Sequence, residues 1–145
     1  MTVNVEAASA ATLAADLVSL NGKTNQVITM TAVTKVSAVT ITGSVTAAQA
    51  DAIADVTSGV VTATITADTA SALNAALSDA QVNEYNLTIS AGSAVATDLT
   101  SLDSKTSVAV NAGNVTAITG SATEIAAAYA ANTAGTITGL GNEPV

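Results

Sequence analysis

Gly43-Ser44 and Gly120-Ser121 each place a hydroxyl where a strand-like run gives way to a helix-like one, a position where helix N–H groups can receive an anion. Neither turn carries the lysine or the spaced glycines of a phosphate-binding loop. A nucleophilic serine would also need a base. The chain has no His and no Cys, so a hydrolytic triad of the usual kind cannot be assembled, and only carboxylates or three lysines remain. These serines are better explained as helix caps, and the sequence predicts neither an enzyme nor a cofactor. Carboxylates are the next candidates. Asp51 and Asp55 lie one helical turn apart and Asp98 and Asp103 flank a later helix, so either pair could hold a hard cation loosely. Calcium takes about six to eight oxygens, and no window offers so dense a set. A solvated helix face accounts for them, and no metal site is expected.

The strongest constellation is a set of hydroxyls at alternate positions: Thr40 and Thr42, Thr64 and Thr66, Thr88 and Ser90, Thr136 and Thr138. In a parallel sheet, with strands about 4.8 Å apart, such pairs would stack into a flat grid of methyls and hydroxyls able to order water or meet a ligand. Thr is also a good strand former that stacks on itself, which explains the pattern without a ligand. Asn86-Leu87-Thr88 and Asn114-Val115-Thr116 match glycosylation sequons, but the first falls in a predicted strand and neither carries weight. Tyr85 and Tyr129 are expected in the core or covering an end.

The elements that must position these groups are unusual in composition. Roughly half of the 145 residues are Ala, Thr or Val, aromatics are 1% and charged residues 10%, so small side chains must fill a thin, regularly layered interior. Eleven acidic residues against Lys23, Lys35 and Lys105 give a formal charge of −8, which repels phosphate backbones and anionic lipid. Nucleic acid is excluded as a partner. No apolar run approaches about 18 residues, so membrane insertion is not expected. Without Cys there are no disulfides or thiolate sites. Met1-Thr2-Val3-Asn4 lacks the basic start of a signal peptide. Because the pattern already runs at Val3 and still runs at Leu140, the expectation is one repeat domain, 1–145, that is a fragment of a longer repetitive protein.

Repetition organises the chain. Ile41-Thr42-Gly43-Ser44 returns as Ile118-Thr119-Gly120-Ser121, and Asp16-Leu17, Ser19-Leu20 and Lys23-Thr24 return as Asp98-Leu99, Ser101-Leu102 and Lys105-Thr106. Residues 16–59 and 98–135 thus form a duplicated block around a middle unit, 60–91. Val3 and Val5 open a strand, and a helix follows over Ala10 to Leu20, stopped by Asn21-Gly22. Strand-like runs fill Val27–Thr31 and Val36–Thr42, and again Ser107–Val110 and Val115–Thr119. Further helices are predicted over about Ala47–Val56 after Thr46, Ala70–Asp79 after Asp68 or Thr69, Ala94–Asp103 after Ser93, and Ala122–Ala131, where Ser121 and Glu124 have capping-box spacing. Ile41, Ile65 and Ile89 stand 24 residues apart and predict the inward knobs of successive layers. Strand, short helix and a one-sided Thr face predict a right-handed α/β solenoid, like a leucine-rich repeat in architecture but lacking its Asn ladder. It would have one parallel sheet with helices on the other side.

The blocks Val39–Asp55 and Glu124–Asn142 resemble repeats of very large cyanobacterial and other marine bacterial surface proteins, of the haemolysin-type or calcium-binding-region class. The resemblance implies a segment of a giant extracellular or cell-surface polypeptide with a structural or adhesive role. Calcium does not come with it, because the Gly-Gly-x-Gly-x-Asp nonapeptides are absent. The expected function is a non-enzymatic spacer module whose partners are neighbouring repeats of the same polypeptide and, end to end or edge to edge, other copies. The alternative is a recognition module that uses the Thr-rich face to bind ice, glycan or protein.

Overall fold

The computed structural model describes residues 38–145. The expected strand at Val3 and Val5, the helix Ala10–Leu20 with its Asn21-Gly22 stop, and the run Val27–Thr31 lie outside the described residues. The elements follow one another as β1 (Val39–Val45), α1 (Ala47–Ala54), β2 (Val61–Ile65), α2 (Ala70–Ala76), β3 (Glu84–Asn86), β4 (Gly92–Val95), α3 (Ala96–Lys105), β5 (Val110–Asn111), β6 (Val115–Thr119), α4 (Ala122–Ala134) and β7 (Ile137–Thr138). The described fold is mixed α/β.

Local chemistry explains where three of the four helices among the described residues begin. Thr46, Thr69 and Ser121 each accept the N–H three residues on, and Thr46 with Gln49 and Ser121 with Glu124 close full capping boxes. The third helix departs from expectation. It starts at Ala96 rather than Ala94, and its N-cap, Val95, makes no side-chain cap bond. Ser93 and Ala94 are drawn instead into β4, which pairs with β6. At the other end of α4, Gly135 takes the left-handed conformation (φ 84°) and closes the helix.

The helices share one frame. Each opens on Ala (Ala47, Ala70, Ala96, Ala122), and the position three later points inward as Ala50, Leu73, Leu99 and Ile125. The next turn adds Ala54, Leu77, Leu102 and Ala128, all buried. That is the i, i+3, i+6 or i+7 stripe of a helix covered on one side. Consecutive helices pack α1 on α2, α2 on α3 and α3 on α4. Beneath them lie Val61, Ile65, Tyr85, Leu87, Ile89, Val110, Ile118 and Ile137.

All strand pairing among the described residues is parallel, but the single sheet expected from the sequence is not observed. Three small sheets form, ordered β1-β2-β3, β4-β6 and β5-β7. Two features divide them. Register shifts interrupt β1 between Thr40 and Ser44 and β4 between Gly92 and Ser93. Between sheets only isolated parallel bridges continue, at Asp68–Ile89, Asn83–Thr106 and Thr88–Asn111. The isoleucines differ accordingly from a single file. Ile65, Ile89, Ile118 and Ile137 are buried and Ile41 packs at the margin of the core. Ile65 is paired with Val45, and Ile89 bridges to Asp68.

Candidate binding face

The outward side of β1-β2-β3 carries most of the hydroxyls singled out in the sequence, in a different arrangement. Thr40 lies opposite Thr62 and not Thr64, while Thr64 lies opposite Ser44 and Asn86. Thr42 falls within the register shift and has no strand partner of its own. Two mixed rows result, Thr40–Thr62–Glu84 and Ser44–Thr64–Asn86. Thr40, Thr42, Ser44, Thr64, Glu84 and Asn86 are exposed and Thr62 is half-buried. The Thr62 hydroxyl donates to the Glu84 carboxylate at 2.8 Å. An all-Thr grid does not form.

The remaining candidates are dispersed. Thr66 follows β2, where its N–H donates to Val45 O at 2.8 Å, and the half-buried Ser90 donates its N–H to Asp68 O at 2.8 Å. Thr88 and Thr138 flank Asn111 from either side. The Thr138 hydroxyl donates to Val110 O at 3.3 Å. Thr136 belongs to the helical side, its hydroxyl donating to the Asp103 carboxylate at 2.9 Å. The structure therefore gathers Thr40, Thr42 and Thr64 on one small patch and sets Thr88 and Thr138 on another. Hydroxyl, amide and carboxylate groups, with no cation beside them among the described residues, suit a polar ligand and disfavour anions.

Structural work absorbs the carboxylates. Asp51 accepts from the Ser78 N–H at 2.7 Å, the Ser78 hydroxyl at 2.9 Å and the Asp79 N–H at 3.0 Å, joining α1 to the segment after α2. Asp98 accepts from Asn74 Nδ2 at 2.9 Å, and Asn74 Oδ1 in turn receives the Ser101 hydroxyl at 2.8 Å. Lys105 donates to the Asn74 and Leu77 carbonyls, the C-terminal end of α2, where a cation meets the helix dipole favourably. Among the described residues no three His, Cys, Asp or Glu side chains come together as metal ligands. Ser44 lies in β1 and is not a cap, that role falling to Thr46. Ser121 is a cap, and its N–H, with help from its hydroxyl, holds the Glu124 carboxyl below the usual range.

Sequence reasoning missed the buried polar residues Thr57, Asn83 and Thr106, the last two of which face each other across an isolated bridge. Asn83 Oδ1 accepts the Val61 N–H at 2.9 Å, and its amide donates to Gln81 O at 3.2 Å. The Thr106 hydroxyl accepts from the Tyr85 N–H at 2.9 Å and the Val108 N–H at 3.1 Å while donating to Tyr85 O at 2.8 Å. These side chains stand in for ladder bonds, and that substitution is the second reason the sheets stay small. The recurrence of Lys-Thr at 23–24 and 105–106 was the available signal. Beneath them sits Tyr85, whose buried hydroxyl has no hydrogen-bond partner among the described residues. Burial, reinforced by the charges of Asp79, Asp51 and Asp55, pushes it up to about 12. Compared with protein families, with curated proteins and with solved structures, the chain gives no match.

Proposed function

We propose that the chain is a non-enzymatic structural module, a stiff length of a larger repetitive bacterial polypeptide at the cell surface or outside the cell. Its units would stack as a right-handed α/β solenoid and make their main contacts with neighbouring repeats. One observation carries this reading: the buried or half-buried polar side chains described above are spent on joining one strand–helix unit to the next. Asp51 reaches Ser78, Asn74 reaches Asp98 and Ser101, Asn83 reaches Val61, and Thr106 reaches Tyr85. In stacked repeats, stability is a sum of units and nearest-neighbour interfaces, so such bonds stiffen the array. The residues of Val39–Asp55 and Glu124–Asn142 that resemble giant surface-protein repeats support the same reading.

The rival is a recognition module, favoured by the exposed Thr40, Thr42, Ser44, Thr64 and Asn86 on one sheet face. Glycan-array binding and ice-shaping assays on the purified chain separate the two. A spacer binds nothing saturably, and Thr40→Lys with Thr64→Lys leaves its stability and expression unchanged. Saturable binding abolished by those two changes would replace the spacer with the recognition module.

A further inference from the structure

Among the described residues β6 pairs with one strand only, β4, which leaves its other edge without a strand partner among them. The segment 140–145 meets that edge at Pro144. Pro144 O accepts the Ile118 N–H at 2.9 Å, as a neighbouring strand would. The segment is pinned before it arrives: the Asn132 amide donates to Leu140 O at 3.2 Å and accepts the Leu140 N–H at 3.1 Å, the pairing of a backbone made by one side chain. Leu140 is itself buried. Further on, Glu143 accepts the Gly141 N–H at 2.7 Å with one oxygen and the Tyr129 hydroxyl at 2.8 Å with the other. Those bonds hold the Glu143 carboxyl below its ordinary range, the Gly141 N–H contributing most.

The residue that meets the edge is the only proline of the chain. Proline offers a carbonyl to the strand beside it and has no N–H to pass the ladder on, which is why it suits the outermost position of a sheet. An uncovered parallel edge of Val, Thr and Ile is a template for another strand. We infer that the segment 140–145 is an edge guard, which occupies β6 and keeps it from pairing with a second copy of this chain. A second copy is the fitting occupant because it presents the same edge, so two unguarded β6 strands can pair reciprocally about a two-fold axis.

The test compares the full chain with a variant lacking 141–145 and with full-length Tyr129→Phe/Glu143→Ala, which removes the anchor and leaves the length unchanged. Light scattering over a concentration series gives the mass, and amide exchange reads Ile118. Against the edge-to-edge association expected from the sequence, the full chain should hold its 14.0 kDa mass with Ile118 protected. Both variants should keep their circular dichroism and move toward twice that mass as concentration rises. At low concentration, Ile118 should exchange faster by about tenfold or more. Variants that stay monomeric although Ile118 is deprotected overturn the inference. So does a full chain that dimerises equally well, or a pair of variants that both fail to fold, which would make the segment part of the folding core.

Discussion

Replacing Thr106 by valine removes one hydroxyl and leaves the shape of the side chain almost unchanged. In the native protein that oxygen satisfies the Tyr85 N–H, the Tyr85 carbonyl and the Val108 N–H, and Thr106 and Tyr85 are both buried. Val108 is exposed, so water can replace its lost partner. The two Tyr85 groups have no such recourse. At about 1–3 kcal/mol for each buried group left without a partner, the substitution costs about 2–6 kcal/mol. A domain of this size is stabilised by roughly 5–15 kcal/mol, so the loss would be a large share of the total. Thr106→Ser keeps the hydroxyl and loses a methyl, costing about 1 kcal/mol. Thr116→Val, on the exposed side of β6, should change stability by less than about 0.5 kcal/mol. Urea unfolding reads all three, as shifts in midpoint at constant slope. Amide exchange at Tyr85 localises the effect. A valine variant that unfolds at the wild-type midpoint would refute the idea that this hydroxyl replaces a strand.

Tyr85→Phe removes a buried hydroxyl that has no partner among the described residues, so stability near neutrality should be unchanged or higher, by up to about 2 kcal/mol. The Tyr85 hydroxyl is raised to about 12 in the folded protein against 10.0 for the free side chain, so its contribution is full below pH 10 and lost between pH 10 and about 12. Alkaline titration of the melting temperature should therefore show a steeper fall for wild type than for Phe over that window. Glu124 has the opposite sign, because its lowered value makes the ionised form the stabilising one. The stability gap between wild type and Glu124→Ala, followed by thermal melts, should be complete above pH 4.5 and shrink as pH falls through the folded-state value. Gly139→Ala would place a methyl 2.6 Å from Gly113 Cα and 2.7 Å from Gly113 N, both backbone atoms, at a φ of +86°. It should cost more than about 2 kcal/mol, whereas Gly135→Ala, with nothing within 4 Å, should cost only the left-handed conformation, about 1–2 kcal/mol. Paired thermal denaturation curves decide the order.

Helix starts were legible because capping is local. Thr46, Thr69 and Ser121 act within three residues of themselves, and a local rule finds them. Ser93 obeys the same rule and is nevertheless in a strand, because β6, a separate piece of chain, pairs with it. The inward direction of Ile65, Ile89, Ile118 and Ile137 was readable from alternation, which is again local. Register was not. Equal spacing of Ile41, Ile65 and Ile89 suggested residue-for-residue stacking, but the shift between Thr40 and Ser44 absorbs part of the spacing and moves Thr64 opposite Ser44. The hydroxyl face changed with it. Asn83 and Thr106 escaped notice because the partners that give them meaning, Val61 and Tyr85, stand a whole unit away in the chain. A polar residue in a turn and a polar residue substituting for a strand look alike until the neighbouring unit is in place.

The helices differ in length, from the 7 residues of α2 to the 13 of α4, while the strand following each still finds its partner. Extra residues are thus accommodated on the outer flank without retuning the pleated side. Insertions and deletions between related copies should accumulate there first. A foreign epitope or affinity tag grafted at the far end of a helix has the best prospect of being carried without loss of the native architecture.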